Sequence, residues 1–180
     1  ICVLDAGLMF PETEMLGIDV VIPDISYLIE NKERIQGIFL SHGHEDHIGA
    51  LPYIIEELDA PVYGTRLSIE LTKSKIEEIN DKLNVEFEVI DSNTSLRFSS
   101  ARITFFKTNH SIPDSVGICI ETKEGAIVYT GDFKFDQAAQ GLYKAEIGKM
   151  AAIGESGVLC LLSDSSGAER IGFTPSESTV

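Results

Sequence analysis

At 180 residues, with 43% apolar and 24% charged residues, the chain has the length and composition of one soluble globular domain with a good-sized core. No run of ~18 apolar residues is present, which excludes an ordinary membrane-spanning helix, and no signal-peptide pattern opens the chain. A formal net charge of -15 argues against this segment gripping a polyanion with its own surface.

Ile1 to Leu4 reads as a strand already under way, ending at Asp5-Ala6-Gly7. Asp5 is either a turn former beside glycine or a carboxylate that orients a metal-bound histidine from behind, and spacing leaves the two even. Leu8 to Asp24 is irregular, broken by Pro11, Gly17 and Pro23. Ile25 to Arg34 has helical spacing, with Asp24 as its cap. Ile35 to Leu40 is an apolar strand that feeds the stretch Ser41-His42-Gly43-His44-Glu45-Asp46-His47. Ile48, Leu51, Ile54, Ile55 and Leu58 then form a single helical stripe. Pro61 to Tyr63 is a short strand, and Thr65 caps a helix carrying Leu67, Ile69, Leu71 and Ile76.

From Asn84 the pattern turns to strands: Val85 to Ile90, Leu96 to Phe98, Ala101 to Lys107, Val116 to Glu121 and Ala126 to Tyr129. The turn at Thr122 to Gly125 predicts a hairpin between the last two. Leu142 to Ile153 is helical, and Val158 to Leu162 reads as another buried strand ending at Ser163-Asp164. Ser165 to Val180 is polar and rich in breakers. The mixture fits a layered α/β or α+β architecture with polar ligands at strand ends. Cys2, Cys119 and Cys160 are odd in number and each lies in an apolar run; they read as reduced core thiols, which points to the cytoplasm.

Three histidines and an aspartate within six positions are a metal-ligating pattern, because neutral imidazoles and carboxylates suit zinc or another borderline divalent ion. A polar loop with incidental histidines is the alternative. Against it, the one remaining histidine, His110, also sits in a loop beside a strand end, so none is spent elsewhere. Glu45 reads as a solvated residue at the start of a helix. Asp132, after Tyr129-Thr130-Gly131, reads by itself as a capping or turn residue. Asp164 is equally a site residue or an ordinary turn former, and is left outside the ligand set.

The series Asp5, His42-x-His44-x-Asp46-His47, His110 and Asp132 resembles the metallo-β-lactamase superfamily, whose motif is HxHxDH followed by a distant His and then an Asp. Longer stretches resemble the ribonuclease J family: Leu4 to Pro11, Met15 to Asp19, Thr108 to Ser115, Tyr129 to Asp136 and Leu162 to Arg170. The last departs from that family's usual Thr-Asn at Ser166 and Gly167. The resemblance covers essentially all 180 residues. It implies an αββα metallo-β-lactamase sandwich, here incomplete. On that reading residues 1–180 are a partial metallo-β-lactamase domain, without the β-CASP and C-terminal domains and without a returning segment that carries a further histidine.

By the same resemblance, His42, His44 and His110 hold one metal, Asp46 and His47 ligate a second and are catalytic, Asp132 bridges both, and Asp5 supports from behind. The cofactor it implies is Zn2+, up to two ions, with Mn2+ or Mg2+ also compatible with the donors. The implied activity is 5′-to-3′ exonucleolytic and endonucleolytic hydrolysis of RNA, in RNA decay and maturation. The partners implied are 5′-monophosphorylated single-stranded RNA and further copies of the full-length chain, with no membrane. Two other readings stand beside it: a hydrolase of the same fold acting on a thioester or lactam, which the acidic charge suits slightly better, and an inactive RNA-binding or scaffold fragment, which the missing segments allow.

Overall fold

The structure, a computed structural model, describes residues 1–172 and 174–176, and the chain divides into two compact units, 1–89 and 90–180. Among the described residues no helix is long and apolar enough to cross a membrane.

The first unit is a four-stranded parallel sheet in chain order: β1 (Cys2–Leu4), β2 (Gly37–Phe39), β3 (Val62–Gly64) and β4 (Phe87–Val89). Parallel neighbours cannot be joined by a tight turn, so helices supply each crossover. These are α1 (Ser26–Glu30) with a 3-10 turn at Lys32–Arg34, then α2 (Glu45–Ile48) and α3 (Leu51–Leu58), then α4 (Arg66–Ile79). Ile38, Leu40, Leu51, Ile54, Val62 and Ile69 form the centre of a fully buried core. Each such side chain contributes about 1.5–3 kcal/mol by leaving water. The cap residue of α1 is Ile25 rather than Asp24; Asp24 stands one position ahead, where its Oδ1 accepts from Ser26 N at 2.9 Å and from Ser26 Oγ at 2.6 Å.

One helical expectation in this unit is corrected. The stripe from Ile48 to Leu58 is two helices, although all five of its apolar residues are buried. The break falls at Gly49-Ala50 because the Ala50 N–H donates to Ala6 O at 2.9 Å, outside any helix, and Pro52 fits the first turn of a new helix. On α4 the buried face is Ser68, Ile69, Thr72 and Ile76, while Leu71 is exposed. Thr65 holds the cap position without a side-chain bond to the helix backbone; its Oγ1 meets Ser68 Oγ at 3.0 Å instead.

The second unit is a five-stranded sheet. Strands β5 (Ser95–Arg97), β6 (Arg102–Lys107), β7 (Val116–Glu121) and β8 (Ala126–Tyr129) run antiparallel, with the predicted hairpin at Thr122–Gly125. Helix α5 (Ile147–Ser156) then returns the chain so that β9 (Val158–Leu162) joins β8 in parallel. Phe106, Cys119, Ala126 and Val128 pack with Met150 and Ile153 of α5. The helix starts later than Leu142 because Glu146 exchanges hydrogen bonds with Lys107: Glu146 N donates to Lys107 O, and Lys107 N donates to Glu146 Oε2, both at 3.0 Å. Leu142 belongs instead to a 3-10 turn at Gly141–Tyr143.

β9 is a strand but not a buried one. It is an edge strand, hydrogen-bonded on one side, with Leu159 63% and Leu161 59% exposed. Of the three cysteines, Cys119 is the core thiol, and burial pushes its pKa up. Cys2 is partly buried and shifted up for the same reason, whereas Cys160 is exposed with the rest of β9 and is not a core residue.

Candidate metal centre

The first unit gathers its site at the C-terminal ends of β1 and β2. Asp5 continues the ladder through its N–H to Phe39 O (3.0 Å), then turns with φ at +58°, a conformation that aspartate tolerates better than most residues. The turn sends Ala6-Gly7-Leu8 back along α2, with Ala6 N donating to His47 O (2.7 Å) and Leu8 N to Glu45 O (3.2 Å). Gly7 is required by this approach, since a Cβ there would overlap the Asp46 carbonyl.

The Asp5 carboxylate is a hub. Oδ1 accepts from Ser41 N, and Oδ2 accepts from Ser41 Oγ and lies against His47 Nδ1, all at 2.7 Å. Asp5 thus makes the turn, and its carboxylate lies against a histidine. His42 is buried, and its Nε2 stands 3.1 Å from Nδ1 of His44. The His42 ring meets the His44 ring edge-on at 4.8 Å and the His47 ring at 4.0 Å. His44 also caps α2 through its carbonyl, which accepts from His47 N and Ile48 N. Asp46 stands at the rim, 69% exposed, with Oδ2 3.8 Å from His47 Nε2.

Glu45 is not simply solvated. Its carboxylate pairs with Lys75 of α4 at 2.6 Å, which ties the metal-motif helix to the neighbouring crossover.

In the second unit His110 follows β6 and Asp132 follows β8, preceded by Gly131 at φ +56°. His110 Nε2 and Asp132 Oδ2 are 3.5 Å apart. Buried Asn109 fastens the two loops: its O accepts from Lys134 N (2.9 Å), its Oδ1 accepts from Asp136 N (3.3 Å), and its Nδ2 donates to Tyr143 O. Asp164 also serves this loop. Its N–H donates to Thr130 Oγ1 at 3.0 Å, and its carboxylate accepts from Ser166 N at 2.7 Å and Phe133 N at 3.5 Å. Burial works against its charge, but these donors and nearby His110 outweigh it and hold the carboxyl below its ordinary value.

The six residues of the predicted ligand set thus fall into two groups: His42, His44, Asp46 and His47 in the first unit, His110 and Asp132 in the second. The donors of the first group fit a divalent ion. Two imidazole nitrogens on one tetrahedral zinc lie about 3.3 Å apart, given Zn–N bonds of about 2.0–2.1 Å, and His42 and His44 present theirs at 3.1 Å. Ser41, Asn109 and the Glu45–Lys75 pair were not marked by the sequence pattern. A serine before a histidine and an asparagine in a loop carry no periodic signal, and Lys75 lies thirty residues from its partner.

Residues 16–151 match the beta-lactamase superfamily domain. Ribonuclease J 2 of Staphylococcus aureus (strain MRSA252) is 55% identical over 177 residues, 98% of this chain and 32% of that protein. The chain therefore spans about a third of the length of the curated relatives it matches. Among solved structures, a protein of unknown function from Enterococcus faecalis V583 matches with a TM-score of 0.62 at 18% identity, over 95% of this chain and 45% of that one. Zn(2+)-bound PqqB from Methylobacterium extorquens matches at 0.54 and 16% identity, over 76% of this chain and 50% of that one. At those identities the likeness speaks for the fold alone. With the family match spanning most of its length, the chain belongs to the beta-lactamase superfamily and has the mixed α/β, two-sheet composition of a metallo-β-lactamase fold.

Proposed function

We propose that this chain is part of the metallo-β-lactamase domain of a longer metal-dependent ribonuclease that hydrolyses RNA in the cytoplasm, with exonucleolytic and endonucleolytic activity and a preference for 5′-monophosphorylated strands. The observation that carries the reading is the His42–His44 nitrogen pair at 3.1 Å, set at the end of β2 in a chain 55% identical to a ribonuclease J 2. The β-CASP and C-terminal domains, and assembly into a homo-oligomer, belong to the same proposal for the longer protein. So does the basic surface for RNA, which a segment of charge -15 does not supply.

In this reading His42, His44 and His110 would hold one ion, Asp46 and His47 would hold a second, and Asp132 would serve both. Zinc fits the nitrogen donors, and manganese or magnesium the carboxylates. Bound divalent ions would acidify the attacking water and offset the charge that builds up on the scissile phosphate. Asp5 holds His47 at its Nδ1 and so keeps Nε2 turned to the site. Asp46, standing in solvent, is the group placed to pass a proton outwards.

The test is cleavage of labelled 5′-monophosphorylated RNA by the full-length protein. Chelation should abolish cleavage and zinc or manganese restore it. His44→Ala and Asp132→Ala should each lower the rate at least ~100-fold, since misplacing the reacting groups alone costs that much. A full-length protein that ignores RNA and hydrolyses a thioester would refute the reading.

A further inference from the structure

Ser41 is fully buried and has one hydroxyl proton to give. Its Oγ stands 2.7 Å from Asp5 Oδ2, 3.0 Å from His42 Nδ1 and 3.4 Å from His47 Nδ1. Counting protons fixes the direction of each bond. The Asp5 carboxylate carries lone pairs and no hydrogen, so the 2.7 Å contact needs the serine proton; two bare acceptors would repel at that distance. Once that proton is committed, Ser41 Oγ can meet His42 only as an acceptor, and His42 must carry its hydrogen on Nδ1. The 2.7 Å contact between His47 Nδ1 and the same Asp5 oxygen places a hydrogen on that nitrogen too.

One carboxylate therefore sets two rings, one directly and one through the serine. Both are held in the Nδ1–H tautomer, the minor form of neutral imidazole in water, with the lone pair on Nε2. For His42 that is the nitrogen facing His44 Nδ1 at 3.1 Å. We propose that Ser41 is a positioning residue that fixes the His42 tautomer and thereby presents its Nε2 lone pair to a divalent ion; this rests on the metal-centre reading above. The seryl hydroxyl relays the Asp5 charge to the His42 ring. A methyl group in its place removes the acceptor for Nδ1–H and lets the ring take its other tautomer, whose Nε2–H cannot ligate.

The experiment uses the metal-free full-length protein with 15N-labelled histidine and reads two-bond proton–nitrogen correlations, with His42→Gln assigning the signal. Wild-type His42 should show the Nδ1–H pattern. Ser41→Ala should move it toward Nε2–H and weaken zinc binding about 10–100-fold, the range for loss of a group behind a ligand. Ser41→Thr keeps a hydroxyl and should restore both the pattern and the affinity. Wild-type His42 in the Nε2–H form overturns the proposal whether or not any variant folds, and so does an Ala variant whose His42 pattern is unchanged. Failure of the metal-centre reading looks different: the wild type would then take up no zinc although His42 shows the Nδ1–H pattern.

Discussion

Gly7 and Glu146 show what single positions contribute away from the ligands themselves. At Gly7 the backbone that follows β1 passes so close to α2 that a methyl group would overlap the Asp46 carbonyl. Gly7→Ala should lower stability by about 1–3 kcal/mol, as overpacking does, and loosen zinc binding because the strain falls on the Asp46–His47 peptide; urea unfolding and metal titration check it. Glu146 holds β6, β5's flank and α5 together. Burial works against its charge, but Lys107 N–H, the Lys149 ammonium and the Ser92 hydroxyl outweigh it and hold the carboxyl below its ordinary value. Folding then favours the ionised form. The stabilisation is complete above the unfolded-chain value of about 4.3 and drains away as pH falls through the lower folded value. Glu146→Gln should flatten the acid limb of a urea-midpoint profile below about pH 4.3 and leave its slope near neutrality unchanged. At this scale the sequence marked the histidines and Asp132 as candidates through their own chemistry. It gave no sign of the Ser41 contacts or of the Glu45–Lys75 pair, which depend on which atoms face one another.

At the scale of elements, the hydrophobic period located strands and helices well and their ends less well. The Ile48–Leu58 stripe kept its period across a break, because two helices at Gly49-Ala50 can share one buried face while hydrogen bonds to Ala6 interrupt the ladder. The period therefore reported burial correctly and continuity wrongly. β9 failed in the opposite way: Val158-Leu159-Cys160-Leu161-Leu162 is apolar at every position, and such a run does not say whether both of its faces are covered. The packing of α3 gives a clean test. Ile54 is buried in the core of the first unit, so Ile54→Ala should cost about 2–5 kcal/mol by leaving a cavity. The Lys75–Glu45 bridge, partly exposed, should be worth no more than about 1 kcal/mol when Lys75 becomes Met.

For the molecule as a whole, the sequence disclosed the mixed α/β class and the charge, and it missed how unevenly apolar surface is distributed. Among the described residues β9 is paired along one edge only and has exposed leucines, and Leu161 also lines an apolar hollow of about 460 Å³ with Phe106, Phe133, Met150 and Ile153. An apolar edge strand is a template for association with other chains. The 180-residue chain alone should bind a hydrophobic dye and self-associate in spite of its charge of -15. Leu159→Lys should reduce dye fluorescence and light scattering together, and unchanged scattering would assign the association to another surface.

The two units follow one another along the chain without interleaving, 1–89 and then 90–180. During synthesis, every strand of the parallel sheet has its partner before the first residue of the second sheet is added. At a translation rate of about 5–20 residues per second, the second unit trails the first by roughly 5–20 s. That interval is long compared with the folding of most small domains. His42, His44 and His47 are thus made, and can leave the ribosome, ahead of His110 and Asp132, so order of assembly is written into the linear arrangement of the gene.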